Sequence, residues 1–102
     1  MIHVVATITA RPGTRPALLD AFRWLTPLVR AEVGCAEYQA TVDVPTANPA
    51  QDPPRPDVVT VIEKWDGVAA LAAHGAAPHM VEYREKMKDV VVSVKLQVTE
   101  PV

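Results

Sequence analysis

The chain has a single cysteine, Cys35, among its 102 residues. No intramolecular disulfide can form, and no Cys/His spacing resembles a zinc site, so a reducing cytoplasm is the expected compartment. Aromatic residues are scarce, five in all, and the charges nearly cancel, with 10 Lys plus Arg against 12 Asp plus Glu for a formal charge of -2. Without a basic block, and with few rings to stack on bases, nucleic acid is not an expected partner. No apolar run approaches the ~18 residues of a membrane span, and Met1-Ile2-His3-Val4 enters a strand-like pattern without a basic or apolar leader region. Neither a membrane span nor a secretion signal is expected. A phosphate loop, a metal cage and an internal repeat are also missing.

What the chain does have is apolar residues, 49% of the total with a mean hydropathy of +0.09. Its length fits one domain over residues 1–102, and a domain of this size buries only roughly 60–70% of the surface of its unfolded chain. Some of the remaining apolar surface is expected to meet a second copy.

Residues 2–10 are dense in β-branched types, with His3, Thr7 and Thr9 on one parity and Ile2, Val4, Ala6 and Ile8 on the other, which reads as a strand. Arg11-Pro12-Gly13 forms a turn. Thr14 and Pro16 open a helix whose Leu18, Phe22, Leu25 and Val29 fall at helical spacing and face the core, with a bend expected at Pro27. Gly34 ends that helix, and residues 35–44 form a second strand around Tyr38 and Val42. Residues 45–56 hold five of the ten prolines and read as an extended loop: a lid, an interface arm or disordered surface. Residues 57–65 make a third strand. Asp66 is the candidate N-cap of a short helix through His74, ended by Gly75. Pro78 starts another helix in which Met80, Tyr83 and Met87 share a face, and residues 91–99 form the last strand. The fold class is α+β. The β-α-β-β-α-β order with antiparallel pairing predicts a ferredoxin-like sandwich, its helices on one face of a four-stranded sheet. The other face, read as rich in Val and Ile, is expected to pack against the sheet of a second copy.

The residues able to do chemistry gather in the second half. Ile62-Glu63-Lys64-Trp65 is followed by Leu71, His74 and Pro78-His79-Met80, so a strand-ending aromatic is joined by two imidazoles on adjacent short helices. Each also has a plainer reading. His79 at a helix start can simply bond nearby backbone, and His74 in a last helical turn suits the helix dipole. Glu63 can orient a histidine, hold a hydrogen bond in a pocket or pair with a surface cation. Trp65 can be a core anchor, Tyr38 a packing residue or part of a dimer seam, and Cys35 a structural thiol.

Taken in order, Arg11-Pro12-Gly13, Glu32, Gly34-Cys35, Tyr38, Glu63, Trp65, Leu71, His74 and Pro78-His79-Met80 resemble the antibiotic biosynthesis monooxygenase superfamily over nearly the whole chain. Pro27, Val42-Asp43, Ile62-Glu63, Ala73-His74 and Tyr83 bring the likeness closer to its bacterial quinol monooxygenases. The resemblance implies a dimeric α+β barrel with a pocket between sheet and helices in each subunit. It also implies oxidation of a quinol or polyphenol by molecular oxygen with no cofactor and no metal. The positions matching the Asn, Trp, His triad of heme-degrading relatives hold Ala6, His74 and Arg84, which lacks the iron ligand. For a phosphorylated substrate the cations would be only Arg84 and Lys64.

A quinol reacts with oxygen chiefly as its anion, so a base is the minimum requirement. Removing a phenolic proton of pKa ~10 at pH 7 is a gap of about 3 units, or roughly 4 kcal/mol, which an imidazole and fixed hydrogen bonds can supply. On this reading His74, His79 and Glu63 are the catalytic candidates. Trp65, Tyr83, Phe22, Met80, Met87, His3 and Arg84 are the candidates for a flat substrate slot. The alternative is a non-catalytic dimer that binds an apolar aromatic ligand.

Overall fold

A computed structural model describes residues 1–102. The elements run β1 (Ile2–Ala10), α1 (Arg15–Arg30), β2 (Cys35–Thr41), β3 (Val58–Trp65), α2 (Val68–Ala76), α3 (Pro78–Met87) and β4 (Val91–Thr99). The four strands form one antiparallel sheet in the order β2-β3-β1-β4. This is the expected ferredoxin-like arrangement, with its second crossover split into two short helices.

Alternation on the strands sets which side is buried. Val4, Ala6 and Ile8 face Glu63, Val61 and Val59 across the β1–β3 pair, and these six positions are buried. Helix α1 covers that face with Leu18, Phe22, Leu25 and Val29, all four buried as their spacing predicts. Each stabilises the fold by roughly 1.5–3 kcal/mol through burial. Pro27 does not interrupt α1. The carbonyl of Arg23, which loses its usual donor there, lies on the exposed side of the helix where water can serve it.

The uncovered face of the sheet differs from the expectation. It carries His3, Val5, Thr7 and Thr9 of β1, with Thr60, Ile62 and Lys64 of β3, so threonine and charge outnumber Val and Ile. A row of exposed apolar side chains sits instead on the helix side of the edge strand β4. There Val94, Leu96 and Val98 lie opposite Ile8, Ala6 and Val4 but beyond the reach of the helices.

Three boundaries also differ. Strand β2 stops at Thr41 rather than residue 44, because the Asp43 carboxylate turns to Arg55, accepting from its backbone N–H at 2.9 Å, from Nε at 2.8 Å and from Nη2 at 3.0 Å. Those bonds clasp the base of the Pro-rich loop and hold the Asp43 carboxyl down at about 2. The N-cap of α2 is Gly67, not Asp66, and Gly75 lies inside that helix, which runs to Ala76.

Gly34 fixes the seat of α2. Its φ of +85° suits glycine, and a Cβ built there would lie 2.6 Å from Cβ of Ala70. The Gly34 carbonyl also accepts from the Asp66 N–H at 2.9 Å. No helix is long and apolar enough to cross a membrane.

Candidate functional site

Between the sheet and its helices lies a cavity of about 290 Å³, near the lower end of ligand-sized pockets. Ala6, Ile8 and Val61 form its floor, Phe22, Tyr38, Leu71, Met80 and Tyr83 its walls, and Val94 and Leu96 of β4 one open side. Besides the phenols of Tyr38 and Tyr83, Glu63 and His74 are the buried ionisable groups on the lining, and Arg84 stands at the rim with Nη2 donating to the Gly75 carbonyl at 2.9 Å. The lining is otherwise apolar. The rings pack closely, Phe22 and Tyr83 at 5.4 Å between centroids and Tyr38 edge-on to His74 at 5.7 Å.

His74 is held from two sides. Trp65, fully buried, lies against it with ring centroids 4.7 Å apart. Nδ1 lies 2.8 Å from Oε2 of Glu32, which follows the end of α1. The same oxygen is 2.7 Å from Nε2 of His79. A carboxylate offers only lone pairs, so both imidazole nitrogens donate to it. This assigns His74 the Nδ1–H tautomer and His79 the Nε2–H tautomer. Nε2 of His74 has no protein partner and is not among the sealed polar atoms, so it opens onto the cavity as a bare acceptor.

Of the three roles its sequence position leaves open, Glu63 takes the hydrogen bond in the pocket. Its Oε1 accepts from Nε1 of Trp65 at 2.9 Å, and the carboxylate that orients the histidines is Glu32. Burial raises the pKa of Glu63, partly offset by the Trp65 hydrogen bond and by the charge His74 can carry. Burial also pushes the Tyr83 phenol up to about 12 and the Tyr38 phenol far above its ordinary value, so both remain neutral donors. Tyr83 Oη is sealed from solvent without a partner. The Cys35 thiol is half-buried and its pKa is raised, first by that burial.

Of the residues expected from sequence, His74, Glu63, Phe22, Tyr83, Met80 and Arg84 meet at the cavity. The others do not. Trp65 is sealed beneath His74, where no ligand can stack on it. His79 stands behind Glu32 and reaches the cavity only through that carboxylate and His74. His3 projects from the uncovered face opposite Lys64, and Met87 lines a neighbouring groove with Lys88 and Val91. The loop of residues 45–56 contributes nothing to the lining. Glu32 was part of the motif series but drew no role from sequence, since 42 and 47 residues separate it from its two partners. Tyr38, expected to pack, lines the cavity as well. The Glu32, His74 and His79 donor atoms lie within 4.8 Å of one another and are the group able to hold a metal ion.

The sequence model of the antibiotic biosynthesis monooxygenase family matches residues 1–86. The "Probable quinol monooxygenase YgiN" of Escherichia coli K12 is 37% identical over 103 aligned positions, covering 99% of this chain and 98% of that protein. Among solved structures, PA3566 of Pseudomonas aeruginosa superposes with a TM-score of 0.82 at 28% identity, covering 99% of this chain and 93% of its own. A protein from Shewanella oneidensis does so with a TM-score of 0.77 at 29% identity, covering 97% and 92%. With the family model matching residues 1–86 and a relative 37% identical over nearly the whole length of both proteins, this chain belongs to the antibiotic biosynthesis monooxygenase family.

Proposed function

We propose that the protein oxidises a small quinol or polyphenol with molecular oxygen, independently of any cofactor, and that His74 is the base. One observation carries this reading. The buried His74 ring has Nδ1 committed to Glu32, while its bare Nε2 faces an apolar cavity of a size that takes one or two fused rings.

The hydroxyl proton of the quinol moves to Nε2, leaving an imidazolium stabilised by the Glu32 carboxylate beside it. The quinol anion then gives one electron to oxygen. Recombination of the resulting pair forms the new C–O bond of a hydroperoxide, which loses water as its O–O bond breaks to leave a hydroxyquinone, whereas a second electron transfer releases quinone and hydrogen peroxide. Phe22, Tyr38 and Met80 hold the ring, and Glu63 is the buried carboxyl available to its oxygens. The name of the Escherichia coli relative supports the substrate class. A homodimer in a reducing cytoplasm completes the proposal, supported by the exposed Val94, Leu96 and Val98 of β4 and by the free Cys35. Light scattering should give twice the mass of the chain.

The deciding experiment is oxygen uptake with an anaerobically reduced naphthoquinone, with and without metal-stripped protein. Acceleration that disappears in His74→Ala supports the assignment. Saturable quenching of tryptophan fluorescence with no acceleration would replace it with a ligand-binding role.

A further inference from the structure

Glu32, His74 and His79 come from three separate pieces of the fold: the segment after α1, the last turn of α2 and the first turn of α3. Each piece is anchored independently of the cluster. Gly34 abuts Ala70, Asp66 bonds the Gly34 carbonyl, and Arg84 of α3 bonds Gly75 of α2. The three side chains retain 13%, 7% and 19% exposure, sheltered yet reachable by a small ion. One carboxylate oxygen and two imidazole nitrogens match the donor set of zinc sites that keep a fourth position open. With metal–ligand bonds of ~2.0–2.1 Å, a tetrahedral site places its donors about 3.3 Å apart. The two O···N separations here are 2.8 and 2.7 Å, and no pair of donors exceeds 4.8 Å. Side-chain rotations of about 1 Å close the difference.

We propose that Glu32 Oε2, His74 Nδ1 and His79 Nε2 bind a divalent first-row transition ion, zinc in the first instance, in place of the two N–H···O bonds that now join them. Each imidazole stays neutral. It gives up the proton on the ligating nitrogen and regains one from solvent on its other nitrogen, so no net proton is released, and water fills the fourth position. For His74 this exchange moves the ring proton to Nε2, the nitrogen that faces the cavity. The ion then holds His74 as a donor that cannot take a proton from a bound quinol. Zinc, which has no redox chemistry of its own, acts here as a reversible inhibitor. Ion binding stands on the geometry alone, whereas its effect on turnover rests on His74 being the base.

The test uses tag-free, metal-stripped protein titrated with Co²⁺ alone and then with Zn²⁺. One ion per chain should bind with the intense visible bands of four-coordinate cobalt, and zinc should displace it. Affinity should fall by about tenfold or more in His79→Ala and be unchanged in His3→Ala. Long-range ¹H–¹⁵N spectra of the unsubstituted protein, which need no variant to fold, should show the His74 proton moving from Nδ1 to Nε2 as zinc is added. Absence of binding tighter than about 100 μM, or binding lost in His3→Ala rather than His79→Ala, would overturn the site. Bound zinc with an unmoved His74 proton, or with oxygen uptake undiminished, would overturn the switch. If cobalt binds with the expected bands but no quinol is oxidised, the proposed function fails and the ion site stands.

Discussion

Nδ1 of His74 lies 2.8 Å from Oε2 of Glu32, so a buried imidazole has one nitrogen tied to a carboxylate and the other open to an apolar cavity. Replacing the ring and replacing its tether should therefore have graded effects. His74→Ala should lower kcat for quinol-dependent oxygen uptake by about 10²–10⁴-fold, the range for loss of a general base. Glu32→Gln keeps the shape but can offer either end of its amide to the ring, and should cost roughly 10–100-fold. In Glu32→Gln the His74 ring should also lose its single tautomer, which the same nitrogen spectra would show.

Glu63 gives the fold a pH dependence of known sign. Its pKa is raised above the ordinary 4.5, chiefly by burial. Between 4.5 and the higher folded value the native state keeps a proton that the unfolded chain has released, so stability is full below that window and falls as pH rises through it. Glu63→Gln, whose amide oxygen can still accept from Trp65, should remove this fall and be the more stable protein at pH 7. Urea denaturation of both proteins from pH 4 to pH 8 measures the difference.

Tyr38 and Tyr83 are the only tyrosines, and both are buried phenols with raised pKa values, Tyr83 at about 12. Absorbance at 295 nm should stay flat as the folded protein is taken through pH 10, then rise near pH 12 or abruptly where the protein unfolds. A phenol titrating at 10 in the folded state would contradict the packing around the cavity.

Gly34→Ala should destabilise the protein twice over. A left-handed residue with a Cβ costs roughly 1–2 kcal/mol, and displacing Ala70 adds about 1–3 kcal/mol of overpacking. For a chain of this length that lowers Tm by roughly 10–20 °C, measurable by thermal circular dichroism. Because Gly34 seats the helix bearing His74, the variant should lose turnover even below its Tm.

The elements that could be read from the sequence were those with a clear period. Leu18, Phe22, Leu25 and Val29 repeat at helical spacing, and Val59, Val61, Glu63 and Trp65 alternate, so α1 and β3 were evident. The same alternation sets His3 apart from Val4, Ala6 and Ile8, and the structure places it on the opposite face. Depth was not legible. Glu63 and Trp65 share parity, yet one lines the cavity and the other is sealed below it, a difference set by where α2 crosses the strand end. Nor was the meeting of Glu32 with His74 and His79, because no local pattern encodes a contact made by packing three separate segments. The end of β2 was missed because Val42 and Val44 look like strand, while the Asp43–Arg55 bonds turn the chain away.

Strands β1 and β4 lie side by side, Val4 opposite Val98, though almost the whole chain separates them. A polypeptide is made from its N-terminus, and distant pairings are the slowest to close. Until residues 91–99 have been synthesised, β1 has a bare edge and the chamber around His74 lacks Val94 and Leu96. A nascent chain stalled in the Pro-rich loop can form α1, but β1 and β2 have no partner until β3, which lies between them in the sheet, has been made. The chamber is thus closed only once synthesis has passed the final strand.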